Sequence, residues 1–287
     1  MAITNLMVTE DDFEIIEFIN SGAFGDIYKV QKKKSKPGEE GKVYAMKKIK
    51  PQYDPNLYAH EVKIFASLSH PTILGFRGFS IIPPAILVTD FLAGKDVYKL
   101  IQLEHNGMSE WNETDKFIIM YGVAEGLRYL HSQNFLHRDL KPDNILLDEN
   151  HYPYVTDFGL SKFWTGSESQ SIDYGNPRFM APELFEEKPY CNKSTDVYAY
   201  GMTLYSITQQ HLPYEDKNPY LIPQYVLNGV HPEFDETISL TTSLPSNSTF
   251  DFLAVKHKNL ACDAVMPIMC RSFPVLIISL LIYTAHF

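Results

Sequence analysis

Eight residues, His137-Arg138-Asp139-Leu140-Lys141-Pro142-Asp143-Asn144, followed thirteen residues after Asn144 by Asp157-Phe158-Gly159, constrain this chain more than any other feature. Two carboxylates and an amide fall on neighbouring turns, with a lysine two residues past the first carboxylate. A lone aspartate or asparagine in a loop serves turn chemistry, its side chain bonding nearby backbone. That role does not explain this constellation. It suits one carboxylate that accepts a proton and a pair of oxygen donors that hold a hard cation.

At that separation the two motifs resemble the catalytic loop and the metal-binding motif of eukaryotic protein kinases. The resemblance extends over residues 13–235. It implies an α+β, two-lobed protein-kinase-like fold, with a small antiparallel β lobe carrying one main helix and a larger, mostly helical lobe. The lobes are expected at 13–90 and 91–235, the second incomplete, with an atypical tail over 236–287. A lysine two residues after the first aspartate is the serine/threonine pattern, and Leu87-Val88-Thr89-Asp90-Phe91-Leu92 has a tyrosine-kinase-like flavour. The chain therefore resembles serine/threonine kinases of the tyrosine-kinase-like group.

Composition fits a cytoplasmic domain of this kind. A net charge of −10 disfavours broad binding to nucleic acid. Cys191, Cys262 and Cys270 have no framework spacing, and Met1 to Asn5 lacks the basic start of a secretory signal. The apolar run Val275 to Tyr283 is too short to span a bilayer as a helix, so no transmembrane span is expected.

Alternation predicts strands at Phe13–Ile19, Asp26–Val30 and Val43–Lys47, with an exposed hairpin loop from Lys32 to Gly41. A helix is expected from Asn56 to Leu68, then strands at Ile73–Phe76 and Ala85–Thr89. Apolar residues at Phe117, Ile118, Tyr121, Ala124, Leu127 and Leu130 predict a buried helical face over Thr114–His131, and a second long helix covers Thr195–Gln209.

The resemblance assigns the site as follows. Gly22 and Gly25 match two glycines of a phosphate-covering turn, whose first glycine is replaced by Asn20. Lys47 pairs the ATP phosphates and Glu61 anchors it. Strand alternation favours Lys47 over Lys48 for this face. Ile19, Ile27, Ala45 and Leu146 enclose the adenine, Thr89 sits behind it, and Asp90 to Leu92 form the hinge. Asp139 is the base, Lys141 neutralises the moving phosphoryl group, and Asn144 and Asp157 coordinate magnesium. Cofactors are thus ATP and Mg2+, and substrates are proteins bearing serine or threonine.

Asp157 to Glu183 matches an activation segment, and Arg138 suggests control by phosphorylation at Thr165, Ser167, Ser169 or Ser171. Asn176 stands where such kinases have a threonine whose hydroxyl bridges the catalytic Asp and Lys, and it is expected to alter substrate positioning. Asp196 matches an aspartate that holds the catalytic-loop backbone. Beyond residue 235 the expected arginine partner of Glu183 is not found, which predicts a partly buried carboxylate without its cation. The tail is a divergent substitute, a membrane-surface segment or the product of a mis-spliced or frame-shifted gene. A membrane or protein contact made by it stays open. Alternatives to an active kinase are a nucleotide-binding pseudokinase that scaffolds partners and a truncated, inactive fragment.

Overall fold

The computed structural model describes residues 6–22, 24–34, 41–164, 175–233 and 235. Five antiparallel strands form one sheet in the order β1-β2-β3-β5-β4. They are β1 (Phe13–Ser21), β2 (Gly25–Lys32), β3 (Val43–Ile49), β4 (Phe76–Ser80) and β5 (Ile86–Asp90). Phe13, Val30, Tyr44, Met46, Ile86 and Val88 form a small core on one face of this sheet.

Helix α1 (Pro55–Ser67) follows β3. Asp54 caps it by accepting from Asn56 N, Pro55 supplies the fixed φ of a first turn, and Leu68 ends it in extended conformation. Its buried residues Tyr58, Glu61, Val62 and Phe65 recur at helical spacing and form one face. This helix matches the expected Asn56–Leu68 to within one residue at each end.

The fourth strand does not lie where alternation placed it. Ile73-Leu74-Gly75-Phe76 is not a strand of the sheet; β4 begins at Phe76. The apolar run is claimed by the helical part of the chain instead. Leu74 N donates to Val155 O at 3.0 Å, and Val155 N donates to Thr72 O at 2.9 Å. The true strand was masked by Gly78, where a Cβ would lie 2.9 Å from Val8 Cγ1. The second strand also continues to Lys32, taking the first residue of the expected loop, whose residues 35–40 lie outside the described residues.

After the sheet the chain is mostly helical: α2 (Val97–His105), α3 (Glu113–Ser132), α4 (Lys193–Gln209) and α5 (Ile222–Leu227). Asn112 and Asp115 close a reciprocal capping box at the start of α3. Helix α4 is buried from Thr195 to Gln209 without interruption and so forms the centre of this lobe. Two short two-stranded antiparallel ladders lie within this part of the chain. One pairs β6 (Phe135–Leu136) with β9 (Lys162–Phe163), and the other pairs β7 (Ile145–Leu147) with β8 (Pro153–Val155). A single large core joins Ile64 and Phe65 of α1 to Phe158, Tyr198 and Leu204, so the sheet lobe and the helical lobe pack on shared apolar residues. The result is the two-lobed α+β fold expected from the sequence.

Candidate active site

The sheet arranges the first half of the site by register. On β3, Ala45 stands opposite Thr89 of β5, and Lys47 stands opposite Ile27 of β2 and Leu87 of β5. Alternation puts Ala45 and Lys47 on one face and Lys48 on the other. Lys48 accordingly pairs with Glu10 and lies over the Tyr28 ring. Lys47 Nζ reaches Glu61 Oε1 of α1 at 3.2 Å. Burial pushes the Glu61 carboxyl up, the Lys47 charge opposes it, and the nearby Asp157 charge adds to the rise.

The phosphate-turn candidate closes through Gly22 N, which donates to Gly25 O at 2.9 Å. Gly25 is required by close approach, since a Cβ there would lie 2.7 Å from Lys48 O. Asn20 is paired with Ile27 inside the strand and is not among the described residues with positive φ. Its side chain accepts from Ser21 N at 2.8 Å. No left-handed conformation is demanded at this position, so the absent glycine is not missed by the backbone. Ile19 falls in a register shift between Phe18 and Asn20, on a strand that is mostly exposed. Asp90 carboxylate oxygens are held by Arg77 and Lys42, and Asp90 N donates to Gly75 O at 2.8 Å. Leu92 and Leu146 are half-buried, and Leu146 lies on β7 opposite Tyr154.

The loop between β6 and β7 carries the second half. Asp139 Oδ2 accepts from Lys141 Nζ at 2.7 Å and from Asn144 Nδ2 at 3.0 Å. Asn144 Nδ2 also donates to Asp139 O at 2.7 Å. Both amide protons of Asn144 are thus committed to Asp139, which leaves its Oδ1 for a cation. Asp139 Oδ1 has no hydrogen-bond partner among the described residues. A Cβ on Gly175 would lie 3.2 Å from it, so a side chain there would crowd the carboxylate.

The loop backbone is anchored by Asp196 from the first turn of α4. Its carboxylate accepts from His137 N, Arg138 N and His131 Nε2, each at 2.8 Å. Burial pushes the Asp196 carboxyl up, but the His131 bond and charge, with smaller contributions from His137 and Arg138 N, outweigh it and hold it below the usual range. These contacts support Arg138 at φ 71°, a left-handed conformation that costs a non-glycine residue energy. Thr156 N donates to Asn144 O at 3.0 Å, which fixes Asp157 beside Asn144. Asp157 has φ 63°, and its Oδ1 accepts weakly from Gly159 N at 3.4 Å.

Phe158 is fully buried and joins the two halves. Its ring meets Phe65 edge-on at 4.8 Å and His137 at 5.4 Å, and Phe65 stacks on Phe76 at 5.8 Å. Phe65 lies four residues beyond Glu61 on the same helical face. Packing of Phe158 therefore fixes the helix that presents Glu61 to Lys47. His60, next to Glu61, adds a polar tie by meeting Ser161 O at 2.6 Å. Sequence reasoning missed Phe65, Phe76 and His60, although the helical spacing of Phe65 from Glu61 was a usable signal.

Two departures resolve differently. Asn176 does not bridge Asp139 and Lys141, which touch directly; its Oδ1 accepts from Arg178 N at 3.2 Å and caps a short turn at Pro177–Phe179. Glu183 is buried, and its Oε2 has no partner among the described residues. Burial pushes its carboxyl up to about 7, with Glu186 adding to the rise. Thr165, Ser167, Ser169 and Ser171 lie outside the described residues. Among the described residues no group of three or more His, Cys, Asp or Glu is placed to hold a metal ion, and no helix is long and apolar enough to cross a membrane. Asn144 and Asp157 offer two oxygen ligands, which fits a magnesium ion that takes its remaining ligands from phosphates and water.

Several curated proteins match much of this chain in sequence. The serine/threonine-protein kinase STY46 of Arabidopsis thaliana is 34% identical over 206 residues, covering 70% of this chain and 34% of that protein. The Arabidopsis thaliana serine/threonine-protein kinase VIK is 32% identical over 240 residues, 78% of this chain and 52% of its own length. The serine/threonine-protein kinase TNNI3K of Homo sapiens is 30% identical over 226 residues, 75% and 26%. The chain thus spans about a quarter to a half of these relatives. Residues 13–259 match the family described as protein kinase domain, and the chain belongs to that family.

Proposed function

We propose that this chain is an ATP- and magnesium-dependent protein serine/threonine kinase of the tyrosine-kinase-like kind, acting in the cytoplasm in intracellular signalling. The observation that carries the reading is the pairing of Lys47 with Glu61 while Asp139, Lys141 and Asn144 are already bonded together. In this reading Asp139 Oδ1 takes the proton of a substrate serine or threonine hydroxyl as its oxygen attacks the γ-phosphorus, the bond from that phosphorus to the β–γ bridging oxygen breaks, and ADP leaves with the electron pair. Lys141 Nζ neutralises charge on the transferring phosphoryl oxygens, and Lys47 holds the non-transferred phosphates. Asn144 and Asp157 hold the magnesium, which supplies charge neutralisation at the phosphates. Gly22 and Gly25 let backbone N–H groups approach the phosphates, while Ile19, Ile27, Ala45, Thr89, Leu92 and Leu146 line the adenine site. Asp90 N is spent on Gly75, so Asp90 offers the base its carbonyl.

The test is transfer of labelled γ-phosphate to a generic basic protein, with and without chelation of magnesium. Magnesium-dependent labelling supports the reading, and labelling indifferent to chelation contradicts it. A second reading, a nucleotide-binding scaffold, is favoured by one observation: Asn176 is engaged in capping and is not at the Asp139–Lys141 pair. Thermal stabilisation by MgATP without any transfer selects that reading.

A further inference from the structure

The phosphate-turn candidate is tied on two sides to the segment that follows β3. Lys50 Nζ donates to Gly22 O at 2.7 Å and to Ser21 Oγ at 3.1 Å, and Lys50 N donates to Phe24 O at 3.0 Å. Three residues on, the Tyr53 ring meets the Phe24 ring at 5.1 Å and 51°. Phe24 is 51% exposed, and the Tyr53 ring covers part of it.

Tyr53 also faces inward. Its hydroxyl lies 3.5 Å from Glu61 Oε2, and Lys47 Nζ lies 6.0 Å from its ring centre. A Cβ built on Gly159 would come within 3.5 Å of the same hydroxyl. One side chain therefore meets the Phe24 ring and the Lys47–Glu61 pair, and its hydroxyl lies where a side chain on Gly159 would come. No recognised motif contains it.

We infer that Tyr53 is a positioning residue for nucleotide binding: by docking Phe24 it holds the Gly22–Gly25 turn over Lys47 before the phosphates arrive. The inference rests on reading the cleft as a nucleotide site. A glycine turn left open loses conformational freedom on binding, and that loss weakens affinity; a turn already docked has less to lose. The ring carries more of this role than the hydroxyl, because 3.5 Å is at the long limit for an O–H···O bond. Burial, with the Glu61 and Asp157 charges, pushes the phenol up and keeps it protonated.

The experiment is calorimetric titration of MgATP into the full 287-residue chain and into Tyr53→Phe, Tyr53→Ala, Phe24→Ala and the double alanine variant. Each single alanine variant is expected to raise Kd about two- to tenfold, the worth of one aromatic pair. The double variant is expected to be no weaker than the worse single, and Tyr53→Phe to stay within about twofold of wild type. Where transfer is measurable, KM for ATP rises while kcat holds, a split that general loss of folded protein does not produce. Phe24→Ala changes an exposed side chain and keeps the test open should Tyr53→Ala misfold. Unchanged Kd in Phe24→Ala, or fully additive effects, overturns the inference alone. A wild type that binds no MgATP overturns the nucleotide reading and this inference together.

Discussion

Two buried carboxylates in the helical lobe meet opposite fates. Asp196 is 1% exposed and Glu183 is 2% exposed, so both have lost their water. Asp196 receives three hydrogen bonds and is held below the usual carboxylate range. Glu183 Oε2 receives none among the described residues, and its carboxyl rises to about 7. Burial opposes ionisation equally in kind at both sites; the partners decide the outcome. The difference also separates two regions. Around the cleft, Lys47 is paired with Glu61 and Lys141 with Asp139, and Asp196 holds the backbone of the loop between β6 and β7. At Glu183 a buried acid has an oxygen, Oε2, with no partner among the described residues.

The comparison breaks most visibly at Asp196. Replacing it with alanine strips the acceptor from the backbone N–H groups of His137 and Arg138 and from His131, and should cost about 3–5 kcal/mol in denaturant unfolding. A loss below about 1 kcal/mol would mean that the anchoring is dispensable. Glu183 gives the next effect, through pH. Its folded value is raised from 4.5 to about 7, so the folded state binds its proton more tightly than the unfolded chain. Stability is then lost as pH rises from about 4.5 to 7, by about 3 kcal/mol, because the unfolded chain ionises first. Glu183→Gln should remove this slope, leaving the variant more stable than wild type at pH 8 and similar at pH 4.5. Asp196 has the opposite sign, contributing stability above its unfolded value that is lost as pH falls below about 4. Parallel pH profiles for wild type and Glu183→Gln would contradict the assignment. The smallest effect is at Asn176. Removing its cap with Asn176→Ala should cost about 1 kcal/mol, read as a small drop in Tm. Affinity for MgATP should not change; a large change would tie Asn176 to nucleotide binding.

Most of the fold was legible because its elements announce themselves locally. Helix α3 shows an apolar stripe, and α1 shows Asp54-Pro55 at its start. The strand at Phe76–Ser80 was not legible, since Gly78 interrupts its alternation and the apolar residues before it pair with β8. The family resemblance singled out Lys47, Glu61, Asp139, Asn144 and Asp157 in the sequence, and the structure pairs Lys47 with Glu61 and Asp139 with Asn144. Tyr53, Phe65 and His60 were not singled out, because their importance arises from contacts across 8 to 101 residues of sequence that no local pattern encodes. The contact that Asn176 makes was not legible for a related reason. Its position matched a bridging hydroxyl, but an asparagine before proline starts a turn by capping it, and the local bond won.

The central claim is that Asp139 faces a bound nucleotide across from the Lys47–Glu61 pair and accepts a substrate proton there. The direct measurement is the rate of γ-phosphate transfer under saturating MgATP for wild type and Asp139→Asn, with MgATP affinity measured on the same samples. The prediction is a rate lowered about 10²–10⁴-fold with affinity changed by less than about threefold. Equal transfer rates in the two proteins would contradict it.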